Sequence, residues 1–191
     1  MGSEDINFVL KCREISIKTN QDKQTMEKER QDGFTPKEDY LHVIKHSQII
    51  SLDMVITNPD GKILLGKRTN EPAKGTWFVP GGRVYKNETF KDACRRISKG
   101  ELGEALSYDN EIGVYHHSYN NNFDNEDYGT HYLVFGVAIN LDRHLELNTE
   151  SMDDQHEELK WWYADELLSD PNVHAFTKSY FHPGAWNRAF M

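Results

Sequence analysis

Gly82-Arg83-Val84-Tyr85-Lys86-Asn87-Glu88, followed after seven residues by Arg96 and then by Glu101 and Gly103, is the stretch whose reading decides the fold. Its glycines let the backbone turn tightly and expose carbonyl groups. Glu88 to Gly103 then reads as a helix, with Phe90, Cys94, Ile97 and Glu101 on one face at offsets of 4, 7 and 11. The odd member of that apolar stripe is Glu101, a carboxylate aimed where a core residue belongs. Gly103 stands where a helix-ending glycine is expected. A glycine-led loop, a helix and a loop thus present one acid toward exposed backbone oxygens.

Strand signals flank this unit. Ile49 to Thr57 alternates Ile50, Leu52, Met54 and Ile56 with Ser51, Asp53, Val55 and Thr57. Asn58-Pro59-Asp60-Gly61 is a turn, because Pro presets one dihedral and Gly accepts positive φ. Lys62 to Lys67 then returns as the second strand of a hairpin. Trp77-Phe78-Val79 is a short strand stopped by Pro80-Gly81-Gly82. Glu111 to Tyr119 and Tyr132 to Leu141 are strands joined by a long polar loop, and Leu159 to Tyr163 is another strand. Ala164–Leu168 and Asn172–Phe181 read as short helices. Upstream, Thr35-Pro36-Lys37-Glu38 has the form of a capping box with Pro at the first helical position, so a helix should begin there. Strands mixed with helices indicate an α/β domain.

Bulk properties narrow the function. The chain has 191 residues, a formal net charge of -9, 37% hydrophobic and 28% charged residues. That length suits one domain with a real core over residues 34–191. Residues 1–33 are set apart: Lys18 to Asp32 is too polar to anchor a core, so this piece is expected to be a flexible extension or a dimer arm. No basic cluster interrupts the negative charge, which argues against a nucleic-acid binder. No apolar run approaches the ~18 residues of a membrane span, and a cytoplasmic protein is expected. Cys12 and Cys94 lack metal-ligand spacing and read as reduced thiols.

The G-x5-E-x7-R pattern resembles the Nudix box, G-x5-E-x7-R-E-U-x-E-E-x-G-U. The sequence departs from it at Ile97 and Gly100, which stand where two of the three clustered acids belong; Glu101 alone remains. Further stretches are similar to the GDP-mannose mannosyl hydrolase family over about residues 34–181. They are Ser51-Leu52-Asp53, Leu65 to Asn70, Trp77 to Val84, Thr130-His131-Tyr132, Gln155-His156 and Asp170 to Ala175. The resemblance implies a Nudix fold, an α/β/α sandwich around a mixed sheet, and a homodimer.

It also implies the chemistry. Water would displace GDP at the sugar C1 with inversion, turning GDP-mannose, and GDP-glucose as a second substrate, into GDP and free sugar. One Mg²⁺ per site, replaceable by Mn²⁺, would be held by the Gly81 carbonyl, Glu101 and Gln155. His156 would be the general base. Arg68 and Arg83 would neutralise the diphosphate, and Asp53, His117 and Tyr132 would lie near sugar and phosphates. Inverting glycoside hydrolysis ordinarily needs an acid and a base. A diphosphate already leaves well, so charge neutralisation can replace the acid and only a base is required.

Several points stay open at this level. His156 lies in an acidic loop, Asp153 to Glu158, where Asp154 or Glu157 could replace Gln155 as ligand. His116 competes with its neighbour His117 for the inward face, since a one-residue slip exchanges them. Glu88 and Arg96 read as structural, tying loop to helix. Trp77, Trp161 and Trp162 read as core and sheet residues, and the aromatic that stacks on a base is not identified. Two other functions compete: a pyrophosphatase releasing a nucleoside monophosphate and sugar 1-phosphate, and a non-catalytic nucleotide-sugar sensor.

Overall fold

A computed structural model describes residues 35–124, 126–147 and 156–181. The expected extension 1–33 and Gln155 lie outside them. By internal contacts the chain divides into a main unit, Pro36–Val84 with Thr89 onward, and a second unit to which Tyr85–Glu88 belongs. In that short segment, Glu88 Oε2 accepts a hydrogen bond from the Tyr85 amide at 2.9 Å. All that follows concerns the main unit.

Its elements, in order, are α1 (Lys37–His46), β1 (Ile49–Thr57), β2 (Ile63–Arg68), β3 (Trp77–Phe78), β4 (Gly81–Arg83), α2 (Phe90–Leu102), β5 (Asn110–Tyr119), β6 (Thr130–Asn140), β7 (His156–Trp162), α3 (Ala164–Ser169) and α4 (Ala175–Ser179). Seven strands form one mixed sheet with the order β3-β2-β1-β6-β5; β4 adds to β1 and β7 to β2. β1 runs parallel to β6 over nine pairs, from Ile49↔Tyr132 to Thr57↔Asn140.

β1 is buried on both faces, as a central strand between two layers should be. Leu52, Met54 and Ile56 point one way and pack with Ala93, Cys94 and Ile97 of α2. Val55 points the other way, into a second core with Leu65, Trp77, Phe78, Trp162, Leu167, Val173 and Tyr180. The Trp reading holds: Trp77 and Trp162 are buried and meet edge to face, with centroids 5.2 Å apart.

α2 starts and stops for identifiable reasons. Thr89 Oγ1 accepts from the Asp92 amide at 3.2 Å, and Gly103 closes the helix at φ 75°, a conformation that favours glycine. Cys94, Ile97 and Glu101 are all buried, as the stripe required.

Four local expectations are corrected. The capping box at Thr35 does not form: Pro36 is the N-cap of α1 and no side chain caps it. The β1–β2 hairpin pairs only beside its turn, Thr57↔Ile63, because β4 occupies β1 farther along, at Ser51↔Arg83 through Asp53↔Gly81. Pro80-Gly81-Gly82 therefore does not end strand structure; it leads into β4. The last helix covers only Ala175–Ser179. The turn at Asn58 forms as expected, with the Asn58 side chain accepting from the Asp60 and Lys62 amides at 3.0 and 2.9 Å.

Candidate active site

The pairing of β4 with β1 brings the box glycines against the central strand. Asp53 on β1 faces Gly81 on β4, and a Cβ on Gly81 would lie 2.6 Å from Asp53 Oδ1. Only glycine allows that approach. On the helix side, Glu101 Oε2 accepts from the Gly81 amide at 3.1 Å. Glu101 is 1% exposed, a placement that is costly for a carboxylate unless its charge is compensated. Gly81 and Glu101 are thus brought together through the Gly81 amide.

A cavity of about 270 Å³ opens over this junction, lined by Asp53, Arg68, Gly81, Arg83, His117 and Tyr132 among others. All five residues expected to bind substrate therefore share one cavity. They come from β1, β2, β4, β5 and β6, which converge at this end of the sheet. Arg68 is held by its own loop: Nε donates to the Pro72 carbonyl and Nη2 to Asn70 Oδ1, both at 3.0 Å. The Arg83 guanidinium lies over the Tyr40 ring, 4.2 Å from its centroid. Arg96 Nη2 donates to the Arg83 carbonyl at 2.7 Å, which ties α2 to β4 and supports the structural reading of that arginine.

Behind the cavity lies a buried polar triad. Tyr180 donates to Asp53 Oδ2 at 2.7 Å and lies 3.5 Å from His117 Nε2. Burial pushes Asp53 up to about 7 despite the Tyr180 hydrogen bond and the nearby Arg68 charge. Burial pushes His117 down to about 3, helped by His174 and His116, so His117 is neutral at physiological pH. Its ring stacks on Phe176 at 4.2 Å, interplanar angle 3°. His116, by contrast, is exposed, and the ambiguity between the two is resolved in favour of His117.

His156 is not in a loop. It opens β7 opposite Arg68, is buried, and has no hydrogen-bond partner for either ring nitrogen among the described residues. It packs behind Gly66, where a Cβ would meet its Cδ2 at 2.2 Å. Burial and the Arg68 charge lower its pKa to about 4. His156 does not line the cavity itself.

Sequence reasoning missed Tyr40 and Phe123. Their rings stack at 5.6 Å, and both line the cavity. Tyr40 comes from α1 and Phe123 from the β5–β6 loop, so no local signal pairs them. Tyr180 was missed for the same reason.

The donor set can be tested against a divalent cation. A buried carboxylate beside an extended glycine backbone offers hard oxygens of the type Mg²⁺ or Mn²⁺ takes. Among the described residues, no group of three or more His, Cys, Asp or Glu side chains is placed to hold a metal.

Residues 48–182 match the NUDIX domain family model. The chain belongs to the Nudix family and is a Nudix hydrolase, a class that uses divalent cations. It is 38% identical over 125 residues, covering 65% of this chain and 77% of the relative, to the low-salt glycan biosynthesis protein Agl8 of Haloferax volcanii. It is 40% identical over 76 residues to the ADP-ribose pyrophosphatase of Methanocaldococcus jannaschii, spanning 40% of this chain and 41% of that protein. The fold is similar to a MutT NUDIX hydrolase from Burkholderia pseudomallei, with TM-score 0.56, 26% identity and coverage of 71% and 96% of the two chains. It is also similar to a MutT protein from Methanosarcina mazei, with TM-score 0.56, 20% identity and coverage of 70% and 90%.

Proposed function

We propose that the protein hydrolyses a nucleotide sugar, GDP-mannose first and GDP-glucose second, by attack of water at the sugar C1 with inversion, releasing GDP and the free sugar. One observation carries this reading. The box helix keeps a single buried carboxylate, Glu101, beside a cavity lined by two arginines and an aromatic pair and backed by an Asp–Tyr–His triad. Ile97 and Gly100 leave no second acid beside Glu101 on that helix to act as base; Asp92, its other acid, sits exposed in the first turn and accepts from Thr89. The glycan-related name of the Haloferax relative agrees with a sugar-bearing substrate.

The residues divide the work. Glu101 and the Gly81 backbone, with Gln155 as a further ligand, would hold one Mg²⁺, which supplies positive charge to the diphosphate when bound. Arg68 and Arg83 add fixed charge to the leaving group in a partly enclosed site, where it is worth more than in water. Asp53 and Tyr132 face the sugar, and His117 backs them. Tyr40 and Phe123 offer the flat apolar faces a nucleobase would stack on. We assign the general-base role to His156, whose depressed pKa keeps the ring unprotonated at neutral pH and which stands beside Arg68.

The test is turnover of GDP-mannose with Mg²⁺ in ¹⁸O-enriched water. We expect label in free mannose, none in GDP, and inverted configuration at C1. Guanosine monophosphate and mannose 1-phosphate as main products would instead establish the pyrophosphatase reading, which the similarity to the ADP-ribose pyrophosphatase favours. Binding without turnover would establish a sensor.

A further inference from the structure

Away from the cavity, β5 and β6 carry a histidine pair that the hydrolase reading does not use. Ser118 on β5 is opposite His131 on β6, and His116 is opposite Leu133. His116 and His131 are therefore diagonal neighbours on one face of an antiparallel ladder, the closest cross-strand relation after direct opposition. His116 Nδ1 and His131 Nε2 lie 3.3 Å apart. The second nitrogen of His131, Nδ1, is 3.3 Å from the Gln48 side-chain amide. The adjoining groove is polar, lined by Lys45, His46, Gln48, Ser118, Thr130 and His131.

We propose that His116 and His131 form a surface site for a borderline transition-metal ion, Zn²⁺, Ni²⁺ or Cu²⁺, separate from the hard-cation site at Glu101. Metal–nitrogen bonds of about 2.0–2.1 Å at a tetrahedral angle place two ligand nitrogens about 3.3 Å apart, the separation found here. Two backbone-anchored rings on paired strands bring little ordering cost to binding. A partner for the second ring nitrogen of His131 is also at hand. A ligating histidine donates its other N–H to an acceptor that fixes tautomer and ring plane. Rotating the Gln48 amide by a half-turn presents its oxygen to His131 Nδ1, since the two amide orientations are equivalent in shape. In the metal-free protein, one ring instead donates to the other, and the pair is a simple hydrogen bond. Imidazole ligands select Zn²⁺, Ni²⁺ and Cu²⁺ over Mg²⁺. The formal net charge of -9 favours cation approach in general.

Binding of Zn²⁺ and Ni²⁺ to the full chain should be followed by titration calorimetry in excess Mg²⁺, so that the Glu101 site stays filled with the hard ion. The wild type is expected to bind one equivalent that His116→Gln and His131→Gln each abolish. Gln48→Leu should weaken it by about 10-fold or more, the usual effect of removing an outer-shell partner. His42→Gln, on α1 and outside the pair, should leave that equivalent intact. Zn²⁺ should raise the Tm of the wild type and not that of His116→Gln. Unchanged stoichiometry and affinity in both histidine variants would overturn the assignment. So would loss of the equivalent in His42→Gln, or its displacement by Mg²⁺.

Discussion

Glu101 shows how one residue can be at odds with its surroundings for a reason. Its neighbours on the α2 stripe are Cys94 and Ile97, and it is as buried as they are, yet it is a carboxyl group, whose burial only a hydrogen bond or a cation compensates. Replacing it by Gln keeps the shape and the Gly81 hydrogen bond but removes the charge. Glu101→Gln should lower Mn²⁺ affinity by about 10-fold or more, equivalent to ~1.4 kcal/mol, and activity with it; Mn²⁺ titration by electron paramagnetic resonance reads this. An unchanged metal requirement would show the ligand misplaced. Cys94, about two turns away, is the opposite case. Burial pushes its thiol from 9.0 up to about 11. A raised folded pKa means that its contribution is complete below pH 9 and lost as pH climbs toward 11. The stability gap between wild type and Cys94→Ala should therefore narrow over that range in urea titrations, and the native thiol should resist alkylation at pH 8. Ready labelling of the folded protein would contradict this.

Among the elements, β4 and β7 do most to shape the site. β4 is three residues long, yet it presses Gly81 against Asp53 and displaces β2 from most of β1. β7 sets His156 against Gly66, a glycine needed for space and not for backbone angle, because the intruding Cβ would sit 2.2 Å from the imidazole. Gly66→Ala should cost about 1–3 kcal/mol through overpacking and push His156 away from Arg68. If His156 is the base, kcat should fall by about 10²–10⁴-fold, as for His156→Gln. Wild-type kcat in either variant would remove His156 from the mechanism.

Across the whole main unit, the end of the described chain reaches back to its centre. Tyr180 lies 127 residues from Asp53 and donates to it inside the core, while Phe176 stacks on His117. The helical C-terminal segment thus closes the back of the cavity and satisfies the buried carboxylate. Tyr180→Phe keeps the ring but strands Asp53. A loss of about 1–3 kcal/mol is expected, read as a lower denaturation midpoint with unchanged slope. A variant as stable as wild type would show that Asp53 finds another donor. No helix among the described residues is long and apolar enough to cross a membrane.

The sequence by itself determined the α/β class, the extents of β1, α2 and β5 to within two residues, and the buried stripe that ends on Glu101. These are matters of period, glycine placement and local motif, and they act over short chain distances. Only tertiary structure decided that Gly81–Arg83 is a strand, that His156 is buried on β7, that His117 and not His116 faces inward, and that Tyr40, Phe123 and Tyr180 belong to the site. Each of those depends on register or on contacts between segments far apart in the chain. Side-chain pattern carries no record of which strand will occupy a given edge, because that choice is made by the competition among all segments to bury surface and pair backbone groups.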